Sequence, residues 1–298
     1  MITAPDALTL TPLAPLLSLL VAGSVALLVG VGIRDVRPAG AIALIGLVVA
    51  AVFAGLNLAG AQDGPTGAFG LQWLVDAPSA ALSIAILIGA FLAILIGWDA
   101  LAPAGMDQPE YYALLLFATG GGLTMVHAGD FIVLLLGLEI LSLSVYALSA
   151  WRLGDRQSEE AGMKYFLLGA FASAVLVYGV ALVYGATGAF SYAAIAAALA
   201  DGPSLLALLG GALVLAGLGF KVSFAPFHQW APDVYTGAPT PVTAFMSVAV
   251  KAAAFGALVR VFAAAWPSAL PTLDAMLAVL VALTLLVGNF GALLQSGA

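Results

Sequence analysis

Nine long runs of mostly apolar residues constrain this chain more than any other feature. A bilayer core about 30 Å thick requires roughly 20 apolar residues per helix, and each run comes close to that length or exceeds it. With 63% of its positions hydrophobic and only 8% charged, the chain has too few polar residues to cover a soluble fold. The runs, called run one to run nine, span residues 13–33, 39–61, 77–98, 111–127, 131–151, 163–185, 205–235, 242–266 and 273–294.

The continuity of these runs favours helices over β-strands. Strands of a membrane barrel are shorter and alternate between lipid-facing and lumen-facing residues, whereas these runs are apolar throughout. An α-helix also satisfies its own backbone hydrogen bonds, which lipid cannot do. The sequence therefore predicts an all-α polytopic membrane protein with about nine transmembrane helices.

The residue content excludes several classes of chemistry. The chain has no cysteine, which excludes disulfides, thiolate-bound iron–sulfur clusters and cysteine zinc sites. It contains no glycine-rich nucleotide loop, no P-loop and no HExxH motif. Its eight lysines and arginines form no basic patch for nucleic acid. We therefore expect no cofactor or metal in the chain itself. From the apolar runs, we expect the lipid bilayer to surround the chain.

Basic residues outside the runs indicate the orientation in the membrane. Two loops on one side of the membrane contain Arg34, Arg37, Arg152, Arg156 and Lys164. The positive-inside rule makes that side cytoplasmic and places the N-terminus outside. Because run one is preceded by Asp6 and by no basic residue, a cleaved signal peptide is not expected.

Run seven is unusually long and contains prolines. As a straight helix its residues 205–235 would extend about 46 Å, more than the thickness of the hydrocarbon core. Pro226 and Pro232 follow shortly after Lys221, and proline removes a backbone donor and clashes with the preceding turn. We expect a break near residues 223–227, while a merely kinked helix is an equally good interpretation of the prolines alone.

Three ionisable residues lie near the middle of their runs: Glu139, Lys221 and Lys251. Each costs roughly 2.5–3.5 kcal/mol at the membrane centre, or about 8–10 kcal/mol for the three together if nothing compensates them. They must therefore pair with each other, meet water or face the interior of the helix bundle.

Helical periodicity favours the interior. At about 100° per residue, the polar residues of run five share one face, and so do those of run eight. These two predicted polar stripes consist of Glu139, Ser142, Tyr146 and Ser149, and of Thr243, Ser247 and Lys251.

Such residues suit proton transfer. Lysine exchanges a proton near neutral pH once partial desolvation lowers its pKa from about 10.4, whereas arginine stays charged. Glu139 is the complementary acid, although a static ion pair between Glu139 and a lysine is the alternative.

His228 follows the expected break and either relays protons or makes an ordinary hydrogen bond. His127, at the end of run four, is predicted to lie at the membrane interface.

Three stretches carry a resemblance to a known family. They are GLEILSLSVY at 137–146, MKYFLLGAFASAVLVYGVALVYGATG at 163–188 and GFKVSFAPFHQWAPDVYTGAPTPVTAF at 219–245. The chain resembles the antiporter-like membrane subunits of respiratory complex I, the proton-pumping NADH:quinone oxidoreductase, and their relatives among cation/proton antiporters. Its PDVYTGAPTP sequence is more similar to subunit N, also called subunit 2, than to the sister subunits M and L.

The resemblance implies a division into three parts. Residues 1–110 would be an N-terminal three-helix segment, and residues 111–266 a five-helix unit of an inverted repeat with a discontinuous run seven. Because family members continue with a second, inverted unit, residues 267–298 would be the truncated start of that unit.

The resemblance also implies a function and a location. Glu139, Lys221 and Lys251 would carry protons, with His228 as a possible relay, coupled to quinone reduction elsewhere in the complex. NADH, FMN, quinone and iron–sulfur clusters are expected in other parts of that complex. Partners would be its other membrane subunits, in a bacterial inner membrane. Two alternatives are an independent Na⁺/H⁺ antiporter subunit and a purely structural assembly subunit.

Overall fold

The computed structural model describes residues 10–32, 35–267 and 270–294, and most of them are helical. The helices are α1 Ala14–Gly32, α2 Arg37–Gly60, α3 Ala77–Gly97, α4 Pro109–His127, α5 Phe131–Ser149, α6 Arg156–Thr187, α7 Tyr192–Ala198, α8 Leu205–Val222, α9 Trp230–Gly237, α10 Thr240–Phe245, α11 Lys251–Ala265 and α12 Leu270–Leu294. Shorter elements are the 3₁₀ turns Thr11–Leu13 and Ala61–Asp63, the strands β1 Thr66–Ala68 and β2 Trp73–Val75, and the π-helical turn Met246–Val250.

The predicted all-α membrane fold is confirmed. Eight helical stretches within the described residues are long and apolar enough to cross a membrane, and they coincide with every run except run four. Run four forms α4, in which most residues are buried. Because α4 packs against α1, α3 and α5, neighbouring helices shield it from lipid and it does not need a strongly apolar surface.

By its internal contacts the chain divides into two units. The first unit comprises the described residues up to 167 together with 234–257, and the second comprises 168–233 together with the described residues from 258 onward. The predicted three-part division at residues 110 and 266 stays a prediction. Arg34 and the N-terminal residues 1–9 lie outside the described residues, so the outward orientation of the N-terminus also stays a prediction.

In the first unit, α4 and α5 cross at two glycines. A Cβ atom added to Gly137 would lie 2.8 Å from the backbone nitrogen of Met125 and 2.9 Å from the carbonyl oxygen of Gly121. Such backbone proximity is available only to residues without a side chain, as at other close helix crossings in membranes. This crossing fixes the part of α5 that carries Glu139.

A small β-hairpin, which the sequence did not indicate, joins α2 to α3 in the same unit. Its strands β1 and β2 are antiparallel and only three residues long each. The Gly129 N–H donates to the Gln72 carbonyl at 2.8 Å, which ties the hairpin to the turn between α4 and α5. The next helix, α3, begins with a capping box in which the Asp76 side chain accepts from the Ser79 N–H.

The second unit contains the greater part of α6, with α7, α8 and α12. Helices α6 and α8 cross at Gly179 and Gly210, where an added Cβ atom on either residue would lie 2.8 Å from the carbonyl oxygen of the other. The Ser204 hydroxyl caps the start of α8 by accepting from the Ala207 N–H at 3.2 Å.

Candidate functional site

The four predicted site residues fall in different parts of the chain. Glu139 and Lys251 belong to the first unit, whereas Lys221 and His228 belong to the second. Each pair is described within its own unit.

Glu139 lies in the interior of α5, a helix that starts at a well-formed cap. The Asp130 carboxylate accepts from the Val133 N–H at 2.7 Å and so satisfies one of the free donors of the first turn. The helix is uninterrupted from there, and Glu139 is half-buried on it.

The predicted polar stripe of α5 is present around Glu139. Its carboxylate lies within electrostatic range of the Tyr146 hydroxyl, and the fully buried Ser142 hydroxyl lies beside that of Tyr146. Uniform helical spacing therefore predicted the proximity of Glu139, Ser142 and Tyr146 correctly, because α5 has no irregular turn.

Two further tyrosines extend this polar stripe. The ring of Tyr165, on α6, meets Tyr146 edge-on with 4.7 Å between the ring centres. The Tyr165 side chain is completely buried, and its hydroxyl lies within electrostatic range of those of Tyr146 and Tyr235. We call Tyr146, Tyr165 and Tyr235 the tyrosine cluster.

Lys251 meets the other end of the tyrosine cluster. Its Nζ atom lies 5.9 Å from the centre of the Tyr235 ring, which is a favourable place for a cation over an aromatic face. Lys251 is half-buried, and it follows directly on the π-helical turn Met246–Val250. A π turn inside an α-helix is rare and is often found at a functional site.

The polar stripe predicted for run eight, with Thr243, Ser247 and Lys251 on one face, stays a prediction. Ser247 is exposed and donates to the carbonyl of Ala244 at 2.9 Å, whereas Lys251 is half-buried beside Tyr235.

In the second unit, Lys221 lies in the last turn of α8 and is 2% exposed. The helix ends at Val222 because Ser223 adopts the left-handed conformation, with φ of +67°. A cation in the last turn of a helix is favourably placed against the negative end of the helix dipole. Helical geometry resumes at Trp230, and the proposal that α8 and α9 are halves of one discontinuous membrane helix stays a prediction.

Neighbouring groups satisfy the backbone where α8 ends. The Phe224 N–H donates to the Gly219 carbonyl at 2.9 Å, and the indole N–H of Trp230 donates to the Phe220 carbonyl at 2.9 Å. The Ala225 N–H donates to the hydroxyl of Thr284 on α12 at 3.0 Å. Irregular backbone at membrane depth requires such partners, because lipid offers none.

His228 lies between the end of α8 and the start of α9 and is half-buried. Its Nδ1 atom is buried and has no hydrogen-bond partner within the part of the chain that the structure describes. A buried ring nitrogen of this kind is a position for a water molecule or for a transferred proton.

His127 was expected at the membrane interface, and that position stays a prediction. Its side chain is 1% exposed, because β2 covers the end of α4. Both ring nitrogens are engaged, Nδ1 with the Leu74 carbonyl at 2.8 Å and Nε2 with the Ser83 hydroxyl at 2.9 Å.

Two ion pairs lie near the ends of the spans. Arg152 Nη1 is 2.9 Å from the Asp155 carboxylate, and the guanidinium holds the pKa of that exposed carboxyl below its usual value. Lys164 Nζ is 2.7 Å from the Glu160 carboxylate. As largely exposed pairs they contribute little to stability, and Lys164 is a useful control for the lysines inside the spans.

Comparison with known proteins places this geometry in a family. Residues 128–297, more than half of the chain, match the family model described as NADH:quinone oxidoreductase/Mrp antiporter, TM. The chain belongs to this family. The match includes α5, the π turn and all four predicted site residues.

This family member has curated relatives named NADH-quinone oxidoreductase subunit N. One, from Desulfovibrio desulfuricans, is 46% identical over 256 residues, which are 83% of this chain and 50% of the relative. Another, from Chloroflexus aggregans, is 44% identical over 308 aligned positions, covering 98% of this chain and 61% of the relative. The chain spans about half the length of three curated relatives that it matches.

Among solved structures, this family member is similar to a chain in respiratory complex I from Thermus thermophilus with bound aureothin. The two are 39% identical with a TM-score of 0.79, and the match covers 95% of this chain and 59% of that chain. The resemblance that the three sequence stretches indicated is thereby confirmed.

Proposed function

We propose that this chain is a proton-translocating membrane subunit of an NADH:quinone oxidoreductase. The observation that carries the proposal is the polar line in the first unit. It runs from Glu139 past Ser142, through the tyrosine cluster, to Lys251. An acid and a base at its two ends, with hydroxyl groups between them, form an arrangement that a purely structural helix bundle does not need.

Each member of the line has a distinct task in this proposal. Glu139 takes up a proton on its carboxylate, and Lys251 holds one on its amine. A tyrosine hydroxyl can accept one hydrogen bond while donating another, so the tyrosine cluster passes a proton on when its hydroxyls reorient. Water molecules in the gaps between the side chains would complete the connections, since some of the distances are too long for direct hydrogen bonds.

Lys221 and His228 would serve the second unit in the same way. Lys221 is buried in the last turn of α8, and its amine would hold a proton there. The buried Nδ1 atom of His228 can receive a proton in the irregular segment that follows. Their chemistry would complement that of Glu139 and Lys251, with one relay in each unit.

The remaining parts of the proposal come from the relatives. Because the relatives are named as oxidoreductase subunits and the chain has no cysteine, NADH oxidation, FMN and iron–sulfur clusters would belong to other subunits. Quinone reduction in the wider complex would drive the proton transfer. The partners would be the other antiporter-like and small membrane subunits, in a bacterial inner membrane.

The decisive experiment measures protons pumped per electron in the membrane complex that contains this chain. Glu139→Gln and Lys251→Met each remove one ionisable end of the polar line. We expect quinone reduction to continue while proton pumping per electron falls at least severalfold. Lys164→Met, which removes a partly exposed lysine near the end of a span, is the matched control and should leave the ratio unchanged.

If both interior variants pump normally in an assembled complex, the proposal is wrong and the charges are structural. The family description also covers Mrp antiporters, so a second candidate is an independent Na⁺/H⁺ antiporter subunit. Sodium-dependent proton flux in vesicles that lack every other oxidoreductase subunit would favour that candidate.

A further inference from the structure

A second ionisable group, His127, is buried in the first unit and lies outside the polar line. It is the last residue of α4, and it contacts β2 through Leu74 and α3 through Ser83. The ring of Trp73 lies flat against the His127 ring, with 4.7 Å between centres and 13° between planes. Three elements therefore enclose the imidazole completely.

The carbonyl partner fixes the neutral tautomer of His127. A carbonyl oxygen can only accept, so the Nδ1 atom, 2.8 Å from the Leu74 carbonyl, must carry a hydrogen. In the neutral ring the Nε2 atom is then bare and accepts a hydrogen bond from the Ser83 hydroxyl at 2.9 Å. The neutral ring is fully hydrogen-bonded in this form.

The Ser83 hydroxyl has a second acceptor within reach. Its oxygen lies 2.8 Å from the carbonyl of Ser79 on the same helix. One hydroxyl hydrogen can point either to Nε2 of His127 or to the Ser79 carbonyl, but not to both. When it points to Ser79, the Ser83 oxygen is free to accept from an Nε2–H group.

The surroundings also suit either charge state. A flat imidazole stacked on an indole is favourable when neutral, and cation–π attraction adds to this when it is charged. Two carboxylates lie near this site along the chain: Asp76 caps the start of α3, which contacts the ring through Ser83, and Asp130 caps the start of α5, three residues after His127. The C-terminal carbonyl groups of α4 lie at the same end.

We propose that His127 is a proton-binding site of this chain, separate from the polar line and from Lys221 and His228. A hydronium ion from the solvent gives its proton to Nε2: one O–H bond of the hydronium breaks, the N–H bond forms, and a water molecule is left. The Ser83 O–H group turns from Nε2 to the Ser79 carbonyl, so no buried polar group of the site loses its partner. One rotating hydroxyl thus lets a buried histidine gain and lose a proton without opening the fold.

The test is nitrogen NMR of the 298-residue chain in lipid nanodiscs with ¹⁵N-labelled histidine. The chain has two histidines, so it gives two pairs of ring-nitrogen signals, and the pair missing from His127→Gln belongs to His127. At about pH 8 we expect the neutral Nδ1–H tautomer. As the pH falls toward about 5, the signal should change to imidazolium while near-UV circular dichroism stays constant.

Two serine variants sharpen the assignment. Ser83→Ala removes the hydroxyl that changes partner, and the proton affinity of His127 should fall about tenfold because the charged ring loses its acceptor. Ser144→Ala is the matched control, since that buried hydroxyl donates only to the Ile140 carbonyl of its own helix. It should leave the titration of His127 unchanged.

Three outcomes overturn the proposal. A neutral Nε2–H tautomer would contradict the bond to Leu74. A ring that stays neutral until the protein unfolds would show that the site does not accept a charge. Protonation that coincides with loss of the near-UV signal would mean that the hairpin must open first.

Discussion

The two units of the chain carry their charged side chains on different kinds of backbone. In the first unit, Glu139 lies on the continuous helix α5, and the π turn before Lys251 widens its helix without ending it. In the second unit, α8 ends one residue after Lys221, and the chain is irregular until Trp230. One unit holds charge within helices, and the other holds it where a helix stops.

This difference determines which contacts each unit needs. Within continuous helices the backbone groups bond to each other, so the charge is accompanied by side-chain hydroxyls and depends on close helix packing. Where α8 ends, free N–H and C=O groups require partners, which Thr284, Trp230 and Ser223 help to provide. We therefore expect packing substitutions to harm the first unit most and substitutions at the helix end to harm the second.

The largest effect is expected at the crossing of α4 and α5. In Gly137→Ala the new methyl group would lie under 3 Å from backbone atoms of Met125 and Gly121, so the helices must separate. We expect the protein to lose about 1–3 kcal/mol of stability, measured by thermal unfolding in mild detergent. Gly55→Ala adds the same methyl group where nothing lies within 4 Å and should leave stability unchanged or slightly higher. Equal melting temperatures for the two variants would contradict the importance of this crossing.

A smaller effect is expected at the end of α8. Ser223 has a φ of +67°, which a β-branched residue adopts only under strain. Ser223→Val should therefore destabilise the protein by about 1–2 kcal/mol in the same unfolding measurement. Ser223→Gly is the matched control and should preserve stability, because glycine adopts this conformation freely. If Ser223→Val is as stable as Ser223→Gly, the left-handed conformation of residue 223 does not determine where α8 ends.

The smallest effect is expected at the contact between the irregular segment and α12. Thr284→Val keeps the shape of the side chain but removes the acceptor of the Ala225 N–H, at a cost of about 1 kcal/mol. Hydrogen exchange at the Ala225 amide should accelerate. In the control variant Thr124→Val, the lost hydroxyl donates only to the Gly120 carbonyl of its own helix, so amide protection should not change. Unchanged exchange at Ala225 would mean that another group satisfies that amide.

The charged residues of the candidate site could be selected from the sequence, because a charge inside a membrane span is costly and is therefore rare. Glu139, Lys221 and Lys251 could be selected from this argument alone, and the neighbours of Glu139 followed from regular helical spacing. Tyr165 and Tyr235 were not selected, since a tyrosine in an apolar run gives no sign of what its hydroxyl meets. The enclosure of His127 could not be predicted, because strands of three residues are too short to produce a periodic signal.

The sequence by itself determined the spans, the absence of thiol chemistry and the positions of the charges within the runs. These properties are local, since length and apolarity decide whether a segment enters the bilayer. Only the tertiary structure decided that residues from α5, α6 and α9 form one tyrosine cluster, and that a hairpin covers His127. Runs that are apolar on every side do not show which face meets a neighbour, and close packing between distant segments makes that choice.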